Sequence, residues 1–281
     1  MSAVEREYEF TQADFRFLRE LASRKTGIVL KDDKFNMLYS RLSRRIRLLG
    51  LGSFKEYCRY LENDNGDETT ELINSVTTNL TSFFREKHHF DYLRDTHFPM
   101  LLKRNSQSKK IRIWSAGCST GEEPYTLAIT ILESGLPKTW DIKILATDID
   151  RNVVNTGRNG VYNADRIDGL SAAQQKRWFE QGSGENANKV RAHPDLKKLI
   201  SFKQLNLLEE WPFSGPFDAI FCRNVVIYFD VNTKKGLVER YSRYMHQESC
   251  LFLGHSESLF KVTDYFDSEG QTVYRKNSNA A

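Results

Sequence analysis

IWSAGCSTGEEPYTLAIT, residues 113–130, decides how the chain is read. An apolar run meets a small-residue turn, then two acids, a proline and apolar residues at helical spacing. A strand that turns through glycine into a helix is where α/β folds hold nucleotides. This turn is not a P-loop, because no Gly-Lys-Ser/Thr follows its glycines. It is not GxGxxG either, because Gly117 and Gly121 are four apart. A pyrophosphate favours the positive N-terminus of a helix. Here Glu122 and Glu123 occupy that end, where they repel a phosphate and welcome a cation. S-adenosylmethionine is a nucleoside that carries an ammonium and a sulfonium instead of phosphates. The alternative is that both acids simply face the helix dipole as good first-turn residues.

Working outward, three further apolar runs read as strands: DIKILATD, FDAIFCR and CLFLGH. Helical stretches separate them, namely PYTLAITILES, RNVVNTGR, SAAQQKRWFEQ and NTKKGLVERYSRYMH. Alternating strands and helices predict a mostly parallel sheet covered on both faces, with ligands beyond the carboxyl ends of its strands. DYFDSEGQTVYRK predicts a closing strand pair. The polar residues follow the strands as that rule requires. Asp148 and Asp150 end the second strand, where an acid can accept ribose hydroxyls. Asp148 is preferred, because Asp150 can equally cap the next helix. Asn206 and Leu207 can frame an adenine edge. Arg223, Asn224 and Tyr228 lie beyond FDAIFC. Methyltransferases acting on amino groups often carry Asn/Asp-Pro-Pro-aromatic here. RNVVIY has no proline, which speaks against a nucleobase amine as acceptor.

The first hundred residues read as helices. Thr11 with Asp14, and Ser53 with Glu56, have capping-box spacing. Asp32 or Asp33 can cap a second helix, and HHFDYLRDTHFPMLLKR forms a last one before the polar linker SQSKK at 106–110. In the second helix Phe35, Leu38, Leu42, Ile46 and Leu49 share one stripe. Lys34, Arg41, Arg44 and Arg45 fall within about 100° of arc elsewhere. That arc is a solvated face, a nucleic-acid contact, or a surface for an acidic partner helix. VRAH and LISFKQL read as short strands inside an insert.

The bulk numbers fit a soluble globular protein. Of 281 residues, 40% are hydrophobic and 28% charged, and the net charge is +4. No apolar run approaches the roughly 20 residues of a membrane span, and MSAVEREYEF lacks the apolar core of a secretory signal. The cysteines (Cys58, Cys118, Cys222, Cys250) are dispersed, as expected of thiols in a reducing compartment. The histidines show no metal spacing, so no metal is expected.

Together TTNLTSFFRE (77–86), SAGCSTGEEPY (115–125), ATDID (146–150), NLLE (206–209), FDAIFCRNVVIYF (217–229) and GHSES (254–258) resemble the CheR family of chemotaxis receptor methyltransferases, in the family's order. The resemblance covers residues 11–275 and is most specific in TNLTSFFRE and CRNVVIYF. It implies an α/β, Rossmann-like methyltransferase domain over residues 91–281 and a small all-helical domain over 1–90. It also implies a small inserted β subdomain around 183–205. The implied reaction moves a methyl from S-adenosyl-L-methionine to glutamates of receptor cytoplasmic helices, leaving S-adenosyl-L-homocysteine. Cofactor contacts carry over onto Asn79, Thr81, Arg85, Glu123, Asp148, Asn206, Leu207, Arg223 and Asn224. Arg85 and Tyr228 carry over as the residues nearest the transferred methyl. The basic helix 33–49, with Lys34, Arg41, Arg44 and Arg45, is then the receptor-facing surface. Some family members also dock the receptor's C-terminal peptide on the β subdomain. A cytoplasmic monomer without nucleic-acid partners or membrane insertion is expected. Two rivals stand beside this reading: a methyltransferase for RNA or a small acid, and a regulatory module that only binds S-adenosylmethionine.

Overall fold

The computed structural model describes residues 6–64 and 66–280; MSAVE of the N-terminal stretch and residue 65 of the NDNGD turn lie outside them. The Thr11 side chain accepts the Asp14 N–H while Asp14 accepts the Thr11 N–H, which starts α1 (Gln12–Thr26) as the spacing predicts. Gly27, at φ 72°, ends it. A 3₁₀ turn at Asp32–Lys34 separates the candidate caps from α2 (Phe35–Leu48), so neither aspartate caps that helix. Ser53 caps α3 (Phe54–Glu62), and α4 (Asp67–Val76) follows. Leu38, Leu42 and Ile46 of the predicted stripe are fully buried with Phe15, Leu18, Phe54, Tyr57 and Leu72. Phe35 and Leu49 pack at its margin.

These residues, up to Thr78 and with Tyr228–Asp230, form one compact unit; Asn79–Ile227 and the residues from Val231 onward form the other. The division comes before residue 90, where the sequence reading put it. The part of TTNLTSFFRE from Asn79 onward accounts for the difference, because it is bonded into the second unit. The Phe84 N–H donates to Thr126 Oγ1 (3.2 Å), and Ser119 Oγ donates to the Asn79 carbonyl (3.1 Å).

In the second unit α5 (His88–Tyr92) continues through a π turn at Leu93–His97 into α6 (Phe98–Arg104). Pro99 sits in the first turn of α6, where its missing N–H is tolerated. Strand β1 (Lys110–Ala116) leads to α7 (Glu122–Glu133), and β2 (Asp141–Asp148) to α8 (Arg151–Asn159). After β3 (Val161–Asn163) come α9 (Ala172–Trp178), β4 (Phe179–Gln181), β5 (Lys189–Ala192) and α10 (Pro194–Lys197). Then follow β6 (Ile200–Gln204), β7 (Phe217–Cys222), α11 (Val231–Arg243), β8 (Met245–Leu253), β9 (Phe266–Gly270) and β10 (Val273–Lys276).

The main sheet has the order β6-β2-β1-β7-β8-β10-β9. Strands β6, β2, β1, β7 and β8 are parallel, and the β9/β10 pair is antiparallel. Both features match the alternation read from the sequence. From β1 the chain steps to β2 on one side and later to β7 on the other, so the order reverses beside β1. Crevices beyond the carboxyl ends of strands at such a reversal are where α/β sheets bind ligands.

The insert differs from expectation. Its antiparallel sheet has the order β3-β5-β4 and so begins at Val161. LISFKQL is not part of it: β6 runs parallel to β2 as an edge of the main sheet. Phe202 explains the choice. It is buried, with its ring centroid 5.8 Å from that of Tyr125, against the bare backbone of Gly157.

Candidate active site

The turn after β1 is built by close approach. Gly117 has φ 104°, and a Cβ there would meet Val225 Cγ2 at 2.3 Å. Gly121, at φ 101°, lies where a Cβ would meet the Gly157 Cα at 2.8 Å. Neither position has room for a side chain, and both require left-handed backbone. Between them Ser119, also left-handed at φ 47°, donates its N–H to Asp148 Oδ2 at 2.8 Å. The other Asp148 oxygen accepts the Asp150 N–H at 3.0 Å. Burial pushes the Asp148 carboxyl up to about 6, against the pull of these amides. Asp150 caps α8 through the Asn152 N–H (2.9 Å) and accepts from the Asn79 side chain (2.9 Å). The helix-capping role weighed for Asp150 is therefore what the fold uses.

The two acids of α7 part company. Glu122 is fully buried and pairs with Arg166, which also donates to the Thr81 carbonyl (2.8 Å). Glu122 thus ties the insert to the TTNLTSFFRE segment. Glu123 accepts from Ser115 Oγ (2.7 Å) and from Arg223 (3.1 Å). Burial pushes its carboxyl up, with Arg223 acting the other way. Each acid is matched by an arginine, so the pair leaves no uncompensated double negative charge at the turn. Asp148, with one backbone N–H on each carboxylate oxygen, keeps acceptor capacity for a nucleoside's ribose hydroxyls.

Arg223 is a buried centre of this site. It pairs with Glu86 (3.1 Å) and Glu123 (3.1 Å), donates to the Arg85 carbonyl, and lies over the Phe90 ring at 5.4 Å. Burial pushes the Glu86 carboxyl up, but Arg223 and the His255 donors outweigh it and hold it at about 2. The Arg85 guanidinium donates to the Leu80 carbonyl (2.8 Å). Asn206 forms a turn, accepting the Leu208 N–H at 3.1 Å, and the buried Leu207 offers its carbonyl to Trp211. Asn224, at φ 59°, packs against Gly254, where a Cβ would meet its Nδ2 at 2.4 Å.

A CheR methyltransferase SAM-binding domain matches residues 79–275, and the CheR all-alpha domain matches residues 13–77. The chain belongs to the CheR methyltransferase family. It is a CheR-type enzyme that depends on S-adenosylmethionine. Among its relatives are chemotaxis protein methyltransferase 2 of Pseudomonas aeruginosa and the chemotaxis protein methyltransferases of Salmonella typhimurium and Escherichia coli. The first is 46% identical, over 95% of this chain and 94% of that protein. The second is 41% identical, over 96% and 92%. The third is 41% identical, over 94% and 91%.

In this CheR chain Asn79, Thr81, Arg85, Glu123, Asp148, Arg223 and Asn224 all fall in one unit; Ser119 joins Asn79 to Asp148, and Arg223 joins Glu123 to the Arg85 carbonyl. Sequence reasoning missed Glu86, Ser119, His255 and Glu257. Glu86 lies inside TTNLTSFFRE, and its partners are far along the chain. Its Oε1 meets His255 Nδ1 at 2.9 Å and the His255 N–H at 3.1 Å.

The four basic residues of the helical unit do not form one free arc. Arg41 donates to the Ser75 (2.9 Å) and Thr77 (2.6 Å) carbonyls at the end of α4. Arg45 pairs through Nε and its guanidinium with buried Glu68, which also accepts from Tyr57 (2.8 Å). Lys34 meets only its neighbour Asp33 (3.3 Å) among the ion pairs of the described residues, and Arg44 is exposed. Arg45→Ala should therefore cost about 1–2 kcal/mol of stability, discounted because the arginine is partly exposed. Arg44→Ala should cost less than about 0.5 kcal/mol. Urea denaturation of both checks this; equal stability of the two variants would mean that the Arg45–Glu68 pair is effectively solvated.

Proposed function

We propose that this chain transfers a methyl group from S-adenosylmethionine to glutamate carboxylates on the cytoplasmic helices of chemoreceptors, as the names of its relatives and the site chemistry suggest. The observation that carries the reading is the glycine turn between β1 and α7, with Asp148 at the end of β2, Arg223 beyond β7 and the segment from Asn79 to Glu86 bonded to them. The residues fit the nucleoside. Each Asp148 oxygen holds one backbone N–H and keeps acceptor capacity for a ribose hydroxyl. Asn206 and Leu207 are offered to the adenine edge, and Asn79, Thr81, Arg85 and Glu123 to the amino-acid end. When bound, the cofactor supplies a methyl already activated by its sulfonium.

The protein then has little acid–base work to do. A glutamate acceptor has an ordinary pKa of about 4.3 and is ionised at neutral pH. No general base is required, and the exposed His255, held on Glu86 at 2.9 Å, is given no step in the transfer. Alignment and exclusion of water remain, and orientation alone can supply roughly 7–11 kcal/mol at its upper range. Arg85 placed on the attacking oxygen would weaken the nucleophile. It serves better on a cofactor carboxylate or on the acceptor's other oxygen. Tyr228 is assigned to orient the acceptor through one hydrogen bond. Lys34 and Arg44, the two basic residues without a buried task, are assigned to the acidic receptor helix.

Base-labile incorporation of labelled methyl into receptor-bearing membranes tests the reading. Methylation of RNA instead, or cofactor binding with no transfer, would overturn it in favour of one rival or the other. Tyr228→Phe should keep the fold and the affinity for S-adenosylhomocysteine. Transfer should slow by about tenfold to a hundredfold, the loss of one hydrogen bond in the transition state. A rate equal to wild type would remove Tyr228 from the reaction.

A further inference from the structure

The loops that leave β7 and β8 are joined by a carboxylate with no assigned role. Glu257 is 2% exposed and has no arginine against it among the described ion pairs. Its Oε2 accepts the N–H groups of Gly254 (2.6 Å) and Asn224 (2.9 Å), and its Oε1 accepts that of Ile227 (3.2 Å). Three backbone amides from two loops thus converge on one buried side chain. One of them belongs to Asn224, which holds a left-handed backbone at φ 59°, a region asparagine tolerates better than most side-chain-bearing residues. Gly254 makes room for Asn224, because a Cβ there would meet the Asn224 Nδ2 at 2.4 Å and its backbone N at 2.9 Å. Ile227 lies in the 3₁₀ turn Val226–Tyr228. Burial pushes the Glu257 carboxyl up, with the three amides opposing. A buried acid kept for surface solubility or for a surface ion pair would show neither feature.

We propose that Glu257 is a positioning residue of the methyl-transfer site: it fixes the backbone of Asn224 and Ile227 in the loop after β7, with Asn224 on the cofactor side. The inference rests on the function proposed above. An amide in place of the carboxylate cannot satisfy all three N–H groups, since its nitrogen presents hydrogens where an acceptor is needed. A displacement of well under 1 Å at Asn224 then becomes a rate effect.

Glu257→Gln is the test, with Asp218→Asn beside it. Asp218 is also a buried carboxylate, accepting from Arg104, Asn105 and the Arg112 N–H, but it lies near the amino ends of β7 and β1, away from the site. Both variants should melt lower than wild type. Below both melting transitions, Glu257→Gln should bind S-adenosylhomocysteine about tenfold more weakly. Its kcat for receptor methylation should fall by about 10–100-fold, with receptor KM changed by less than about threefold. Asp218→Asn should keep wild-type affinity and kcat. If Glu257→Gln only melts lower and keeps its affinity and kcat, Glu257 merely stabilises the fold. If Glu257→Gln fails to fold, Glu257→Asp, which keeps the charge but is one methylene shorter, is read by the same criteria. If wild type methylates no receptor yet Glu257→Gln still loses affinity, the proposed function fails while the hold on Asn224 stands.

Discussion

Arg223→Met should lower the stability of the protein by about 3–5 kcal/mol, the range for removing one partner of a buried ion pair. The guanidinium reaches Glu86, Glu123 and the Arg85 carbonyl while its residue stays 7% exposed. Without it two carboxylates remain in a low-dielectric pocket with fewer donors. Arg223→Lys should recover little, because an ammonium is a point charge and cannot present a planar fork to three acceptors. The pH dependence follows from Glu86. Its folded carboxyl is held at about 2, below its ordinary 4.5, so it contributes stability above about 4.5 that is lost as pH falls toward 2. In the methionine variant that portion of acid sensitivity should shrink, leaving only what the His255 donors supply. Urea titrations at pH 7 and pH 3.5 measure both effects. A loss below about 1 kcal/mol at pH 7, or unchanged acid sensitivity, would mean that water already screens the pair. S-adenosylhomocysteine binding should weaken in parallel, since the TTNLTSFFRE segment is anchored through the same guanidinium.

Arg223 also shows what the sequence discloses and what it hides. Its place beyond a strand was legible from FDAIFC, because a buried parallel strand is a continuous apolar run. Its partners were not, since Glu86 lies 137 positions away and no periodicity links the two. The same holds for Glu257, whose targets Asn224 and Ile227 are 33 and 30 positions distant. Local features were readable: the Thr11–Asp14 box, the Asp150 cap, and the glycine turn between Ala116 and Glu122 are settled within a few residues. The basic arc failed for a related reason. Helical geometry places Arg41 and Arg45 on one side of α2, but it does not say that α4 will pack there and take both. LISFKQL illustrates the limit for strands. Alternation announces a strand, and only the bare surface of Gly157 under Phe202 decides which sheet receives it.

The affinity for S-adenosylhomocysteine should fall as pH drops below about 6, and Asp148 should be the cause. In the ligand-free protein burial raises the Asp148 carboxyl from 3.8 to about 6. For a raised acid the folded state binds the extra proton, so the protein alone gains stability as pH falls from about 6 toward 3.8. Ribose hydroxyls donate more strongly to a carboxylate than to a protonated acid, so binding favours the ionised form and lowers its pKa. Below about 6 each binding event must therefore release a proton. The dissociation constant should rise with a limiting slope of about tenfold per pH unit until the pKa of the bound state is reached. Asp148→Asn removes the titrating group, so its profile between pH 5 and 7 should be flat on this account. Its affinity at pH 7 should be lower by about 1.5–3 kcal/mol, or roughly 10- to 150-fold, the worth of hydrogen bonds to a charged group. Calorimetry in two buffers of different ionisation enthalpy counts the proton directly. A wild-type profile that is flat from pH 7 to 5, with no proton released, would place the ribose contact elsewhere. A slope that persists undiminished in Asp148→Asn would move the titration to Glu123 or Glu257, whose carboxyls burial also pushes up.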